Sequence, residues 1–303
     1  MLDGSRVIRA EETPQPVLDS GSPPVPCPVC AGSSLRRFSR DGYWLRECSS
    51  CWHQFFELIV EGDHVAKTYA DTYFTGGGAG YPGYLHEEHL LRERGRWYAN
   101  KLAVHMSTGT VLDVGAAAGF ILKGFEDAGW RGEGIEPNET MARYAREVMG
   151  LTVVTAQLES FLAGKQFDMV SMIQVIAHIA DPRRAMAQVV DLLKPGGHLL
   201  IETWNSRSVT ARLLGMRWHE YSPPSVLHCF SMHSLSKLAE EAGFREVARG
   251  RPSKWISAEH ARTLLRYKYN DSGAMKVLTR IIPAGIRIPY PAEDLVWLLL
   301  RRD

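Results

Sequence analysis

No apolar run in this 303-residue chain approaches the roughly 20 residues needed to cross a bilayer. The longest, Leu295–Leu300, suits a buried strand. The opening MLDGSRVIRAEETPQPVLDSGSPPVP lacks the apolar segment of a secretory signal. It is rich in Pro, Ser, Gly and acids, so residues 1–24 read as a tail without fixed structure. A cytoplasmic protein with no membrane partner is expected. An excess of one charge is missing too: 35 Lys and Arg face 34 Asp and Glu, a net charge of +1. That excludes the clustered basic surplus of a typical nucleic-acid-binding domain. Two nucleotide signatures are absent. There is no G-x-x-x-x-G-K-[ST] loop for ATP phosphates, and the third glycine of G-x-G-x-x-G, counted from Gly115, is replaced by Phe120. A Phe there would crowd a pyrophosphate-bound helix start, which argues against NAD and FAD. Hydrophobic residues make up 45% of the chain, so a packed core is expected.

Cysteine is scarce, with five in all, yet four fall in two pairs, Cys27-x2-Cys30 and Cys48-x2-Cys51. In a reducing compartment this layout favours metal over disulfides. Two tight turns, each presenting two thiolates, close a tetrahedron around Zn²⁺, the zinc-ribbon arrangement. The rivals are two unconnected surface turns and a redox CxxC. Four protein ligands leave no open position, so such a zinc builds structure and performs no chemistry. Residues 25–60 form this module. Cys229, left over, reads as a core residue.

Residues 61–108 follow as lid and lead-in helices. A Tyr- and Gly-rich stretch, Thr68–His89, suggests a cover, and a helix is expected over about Glu87–Val104. From Thr110 onward strands alternate with helices: TVLDVG, FILKGFEDAG, RGEGIE, ETMARYAREVMG, LTVVTA, FDMVSMI, RRAMAQVVDLL, HLLIETW. This alternation predicts an α/β fold with a doubly wound, Rossmann-like sheet over residues 109–303. A helix ending at Gly243 and two last strands, REVARG and EDLVWLLLRR, complete it. Between those strands lies a helical insertion at about 253–290, too long for a hairpin loop and suited to face a substrate.

The stretch VLDVGAAAGF, Val111–Phe120, ends a strand, turns sharply and starts a helix. Ligands of such sheets bind at the carboxyl ends of the strands, at the switch point. Gly115 permits the turn and Gly119 lets the helix pack close to the sheet. The alternative is a plain strand-to-helix turn. Glu136 ends the second strand, about 20 residues on, where an acid can accept hydrogen bonds from both ribose hydroxyls. A helix N-cap network could also use it.

These residues resemble the first motif of class I S-adenosylmethionine-dependent methyltransferases, an acid followed by G-x-G-x-G. The chain has Asp113, Gly115, Ala117 and Gly119, with Ala in place of the middle glycine. FDMVSMIQVIAHIADP resembles the fourth-strand motif, with Ala177-His178 where Glu-His is common, and LLKPGGHLLIETWN the fifth. MRWHEYSPPSVLHCFSMHSLSKLAEEAGF is similar to the subset that modifies small metabolites and sugars, some of which carry an N-terminal zinc ribbon. The resemblance implies a seven-stranded sheet and S-adenosylmethionine as cofactor. It places Asp113, Gly115 and Ala117 at the methionine end, with Gly119 allowing close approach. It gives Glu136 the ribose, Gln157 the adenine amine, Gln174 a place beneath the methyl donor, and Tyr84 a part in the lid.

Methyl transfer to a hydroxyl or an acidic carbon needs a base. His228, after Pro223-Pro224 in the loop that follows the fifth strand, is the first candidate, and capping of the next helix is its alternative. Tyr221 could orient it or the acceptor. His178 faces the same end of the sheet, and His219 is weaker. Trp204, Trp218 and Trp255 fit a pocket wall or the core equally well. Ile173-Gln174-Val175 offers no acid pair for a catalytic magnesium. The expected function is O-methylation of a small natural-product or sugar-type acceptor. C-methylation is the nearest variant. A zinc-ribbon ribosomal-RNA methyltransferase is disfavoured by the neutral charge, and a non-catalytic docking module by Glu136 and the turn glycines. The acceptor and the oligomeric state are not specified by the sequence.

Overall fold

A computed structural model describes residues 23–60, 64–75, 84–252, 254–257, 287–290 and 292–303. Most of the expected tail and of the expected helical insertion lie outside these residues, as does the glycine-rich part of the expected cover.

The N-terminal strands are β1 (Val25–Pro26), β2 (Ser33–Arg40), β3 (Tyr43–Cys48) and β4 (Gln54–Glu57). They pair antiparallel in sequence order. Two short helices, α1 (His64–Thr68) and α2 (Asp71–Thr75), lead to α3 (Glu88–Leu102). The main unit continues as β5 (Thr110–Val114), α4 (Phe120–Asp127), β6 (Arg131–Glu136), α5 (Glu139–Glu147), β7 (Val153–Thr155), β8 (Phe167–Ile173), α6 (Pro182–Leu192) and β9 (Leu193–Trp204). After α7 (Val209–Leu214) come β10 (His228–Cys229), α8 (Met232–Glu241), β11 (Phe244–Gly250), β12 (Lys254–Ser257), β13 (Arg287–Tyr290) and β14 (Leu295–Arg302).

Local chemistry sets the helix starts. Asn138 caps α5 by accepting from Met141 N–H, Asp181 caps α6 ahead of Pro182, and Ser231 forms a reciprocal capping box with Ser234 on α8. The seven-stranded sheet has the order β11-β14-β9-β8-β5-β6-β7. All its pairings are parallel except those of β14, which inserts antiparallel between β9 and β11. One face is covered by α3, α4 and α5 through Tyr98, Leu102, Leu122, Phe125 and Ala142. The other is covered by α6 and α8 through Met186, Val189, Leu235 and Leu238. The strand order reverses between β5 and β8, which places a crevice at their carboxyl ends.

The small sheet gains a fifth strand from the distant β10, which pairs antiparallel with β4 (His228 with Phe55, Cys229 with Gln54). Cys27, Val29, Cys48 and Cys51 belong to the same buried cluster as Ile176, Ile179 and Phe230. Among the described residues, no helix is long and apolar enough to cross a membrane.

Candidate active site

At the β5–α4 turn, Gly115 has φ +70°, and a Cβ there would lie 2.6 Å from Val175 Cγ2. Ala117 holds a left-handed backbone, φ +48°, that glycine adopts at less cost. Its N–H donates to Glu136 Oε2 at 2.9 Å, which explains why the chain turns there. Asn138 N–H donates to Glu136 Oε1 at 2.8 Å. Each carboxylate oxygen of Glu136 thus has one backbone partner and retains acceptor capacity. Burial raises its pKa, against the pull of these two N–H groups. Asp113 accepts from the Ser171 hydroxyl at 2.7 Å. Burial pushes its carboxyl up to about 7, with the Ser171 bond opposing and the Glu136 charge reinforcing the shift.

These groups open on a cavity of about 610 Å³, a size that suits a cofactor or drug-like ligand. Tyr84, Asp113, Gly115, Ala117, Glu136, Gln157, Gln174 and His178 all line it. Gly119 does not. Its φ of +81° starts α4, where a Cβ would lie 2.3 Å from Leu151 Cδ1, so it serves helix packing rather than the cavity wall.

Aromatic side chains from the turn after α1, from α2 and from the 84–87 turn form a continuous series of ring contacts along the cavity wall that ends on Phe120 of α4. It runs from His178 to Tyr69 (5.8 Å), Tyr73 (5.1 Å), Phe74 (5.2 Å), Tyr84 (5.6 Å) and Phe120 (5.4 Å, stacked). Asn138 ties this roof down, because its side-chain amide donates to Tyr69 O at 2.8 Å and to Asp71 at 3.1 Å. Beneath lies a buried network in which Glu202 accepts from Arg94, Tyr98 and Gln174. Arg94, Gln174 and Trp97 reach the cavity wall, and no other arginine and no lysine does so among the described residues. Tyr69, Arg94 and Asn138 were missed by sequence reasoning. The N-cap pattern Asn-Glu-Thr could have flagged Asn138 as a cap, but nothing local signals its bond to the roof.

His178 sits in the short turn after β8. Its Nδ1 lies 2.7 Å from the Ser225 carbonyl. A carbonyl only accepts, so Nδ1 carries the proton and Nε2 keeps a lone pair. Among the described residues no hydrogen bond engages Nε2. Burial lowers the His178 pKa, which keeps the ring neutral near pH 7, while the Ser225 bond acts the other way.

His228 is not at the cavity. It is buried in β10, its Nε2 facing Ala180 O at 3.4 Å and its Nδ1 facing His53 Nε2 at 3.1 Å. The first bond puts the proton on Nε2, so Nδ1 accepts from His53 and both nitrogens are engaged. Burial brings its pKa down to about 4. A ring so enclosed cannot reach an acceptor. Tyr221 is likewise buried away from the cavity and donates to Gln54 Oε1 at 2.8 Å. The expectation that these two residues face the acceptor is corrected by β10 joining the small sheet, which turns both toward β4. His219 packs between Trp204 and Trp218 outside the cavity, Trp218 is fully buried, and Trp255 reaches the cavity wall.

The four paired cysteines cluster with all sulfurs within 4.8 Å of one another. Cys27–Cys51, Cys30–Cys48 and Cys30–Cys51 are 3.6, 3.5 and 3.3 Å apart. Bonds of about 2.3 Å in a tetrahedron place sulfurs roughly 3.8 Å apart, so the cluster has the size to hold one ion. Val29 and Ser50 N–H groups point at Cys27 Sγ and Cys48 Sγ, each at 3.4 Å, which favours thiolates. None of the four lines the cavity.

The family profile described as "Methyltransferase domain" matches residues 86–248. The ubiquinone biosynthesis O-methyltransferase of Dinoroseobacter shibae is 30% identical over 150 residues, 45% of this chain and 60% of that protein. The protein of the same name from Methylococcus capsulatus is 34% identical over 146 residues, 44% of this chain and 61% of its own length. The chain therefore spans about 60% of the length of these curated relatives. Among solved structures, the N-methyltransferase NodS of Bradyrhizobium japonicum in complex with S-adenosyl-L-homocysteine is 18% identical, with a TM-score of 0.46 over 73% of this chain and 91% of that one.

Proposed function

Because the chain belongs to the methyltransferase-domain family, we propose that it transfers a methyl group from S-adenosylmethionine to a hydroxyl of a small molecule, with His178 as general base. The observation that carries this is an open ring nitrogen of a neutral histidine, Nε2 of His178, on the wall of the cavity that also holds Asp113 and Glu136. Bound there, S-adenosylmethionine supplies a methyl group already activated by a positive sulfur. The chain's own residues do the rest. Glu136 accepts from a vicinal diol while Ala117 and Asn138 N–H fix its carboxylate. Asp113 and Arg94 offer charges opposite to an ammonium and a carboxylate. Gln157 and Gln174 add polar contacts at the rim.

The aromatic roof excludes water and aligns the acceptor, a contribution of roughly 7–11 kcal/mol when alignment is good. His178 Nε2 takes the hydroxyl proton as Nδ1 stays bonded to Ser225, which is worth about 10²- to 10⁴-fold in rate. An acceptor oxygen is favoured by the names of the curated relatives, which are O-methyltransferases. A small acceptor is favoured over RNA by the near-neutral net charge of +1 and by a wall with one described arginine and no described lysine. The four-cysteine cluster holds a structural zinc in this reading.

The test is a panel of phenols and sugars incubated with S-adenosylmethionine carrying a labelled methyl. Oxygen-bound label in the product, lost in His178→Ala while S-adenosylhomocysteine still binds, is the expected result. Label on carbon or nitrogen, or undiminished turnover in His178→Ala, overturns it. Metal analysis of the purified chain checks the zinc, with one equivalent per chain expected.

A further inference from the structure

The cysteine ribbon and the cavity share one short segment, Tyr221–His228. Its Ser225 carbonyl accepts from His178 Nδ1 at 2.7 Å and from the Tyr69 hydroxyl at 3.0 Å. It therefore meets both the ring of the base and the roof. Two residues on, Leu227 is bonded on both sides: its N–H donates to Ala177 O at 2.9 Å, and its carbonyl accepts from Phe56 N–H of the ribbon at 2.9 Å. The ribbon grips the segment twice more, through Tyr221 O–H to Gln54 Oε1 at 2.8 Å and through the β4–β10 pairing. Gln54 is itself fixed by donating to Glu47 at 2.7 Å. Phe38 and Phe56 pack edge-on against the Tyr221 ring at 5.1 and 6.4 Å. Thus a strand that begins three residues after the last paired cysteine is bonded to the peptide beside the base.

We propose that the ribbon is a positioning element for the reaction: β4, through Gln54–Tyr221 and Phe56–Leu227, holds the Ser225 carbonyl where it keeps the proton of His178 on Nδ1. Gln54 and Tyr221 are positioning residues and touch neither cofactor nor acceptor. The physical logic is that an imidazole has two nearly equivalent tautomers, and the hydrogen bond made by one nitrogen decides which is present. A carbonyl displaced by about 1 Å no longer makes that bond. Nε2 then carries the proton part of the time and cannot accept one. The inference concerns how His178 is oriented and rests on the base assignment only for its consequence in turnover.

The test reads the tautomer directly, without an acceptor. The full chain, labelled with ¹⁵N in histidine and bound to S-adenosylhomocysteine, is compared with Tyr221→Phe and Gln54→Ala by NMR, the His178 signals being assigned with His178→Gln. The wild type should show Nδ1–H alone. Both variants should show a second set of His178 shifts with Nε2 protonated, while binding of S-adenosylhomocysteine stays within about twofold of wild type. With the acceptor found by the panel, kcat should fall about tenfold and KM for S-adenosylmethionine should hold. Unchanged His178 shifts in both variants overturn the inference. If one variant fails to fold, the other decides. Displaced shifts with undiminished turnover would uphold the positioning and overturn the base assignment instead.

Discussion

The rim of the cavity and the seam beneath the ribbon treat a histidine in opposite ways. His178 and His228 are both enclosed, both face a backbone carbonyl, and burial lowers the pKa of both. At the rim, one nitrogen of His178 is bonded and the other has no hydrogen bond among the described residues, on the cavity wall. At the seam, His228 is engaged at both nitrogens, and His53 behind it ends the chain of bonds with a buried Nδ1 that has no partner among the described residues. Enclosure with one open lone pair leaves a ring able to take a proton. Enclosure with none makes a joint between two sheets.

The largest effect is expected where the seam is dismantled altogether. Cys48→Ser with Cys51→Ser should abolish metal binding and cooperative folding, since structural zinc sites supply about 10 kcal/mol or more to folding. Metal content and thermal melting check this, and a soluble, cooperatively melting double variant would show the seam stands without the cluster. Next, His178→Ala should lower kcat by about 10² or more with cofactor affinity retained. His228→Gln should slow turnover by less than about tenfold. Equal losses in the two variants would erase the distinction between rim and seam.

Acid should weaken the seam as well as the cofactor groups. An unfolded histidine titrates near 6.5, whereas folded His228 titrates near 4. The unfolded chain therefore binds more protons between these values. The stability from the neutral buried ring is complete above about 6.5 and is lost as pH falls toward 4, by roughly 3 kcal/mol. Denaturant melts from pH 7 to 4 measure it, and His228→Gln should flatten the decline. At the rim, Glu136→Gln should weaken S-adenosylhomocysteine binding by roughly 10- to 100-fold, because an amide N–H₂ would face a backbone N–H and lose a charged acceptor. Calorimetry reads this. The smallest expected effect belongs to Asp113. Its carboxyl, pushed by burial up to about 7, must ionise to meet a cation, so affinity should fall below pH 7 by at most about tenfold per unit. Proton release on binding, seen as a buffer-dependent heat, sharpens the same point.

The strands and helices from Thr110 to Trp204 were legible because burial alternation, caps and turn glycines are local signals. The cluster of Asp113, Gly115 and Glu136 was legible for the same reason, since two strand ends and one turn bring them together. Ala117 shows the limit of reading by residue type: an alanine occupies a left-handed turn because its N–H is needed by Glu136. His228 and Tyr221 were misplaced because their orientation depends on which sheet captures the segment after Pro224. That pairing joins residues far apart in the chain and leaves no periodic trace. Arg94 and Tyr69 were invisible for a related reason, since each is one polar residue among several on a helix or turn.

The sequence by itself determined the parallel sheet, its binding crest and the four clustered thiols, because each is written in spacings of a few residues. Only the tertiary structure decided that His178, and not His228, meets the cavity. That choice follows from β4 taking β10 as its neighbour, and a strand's neighbour is fixed by backbone hydrogen bonds and burial across the whole molecule.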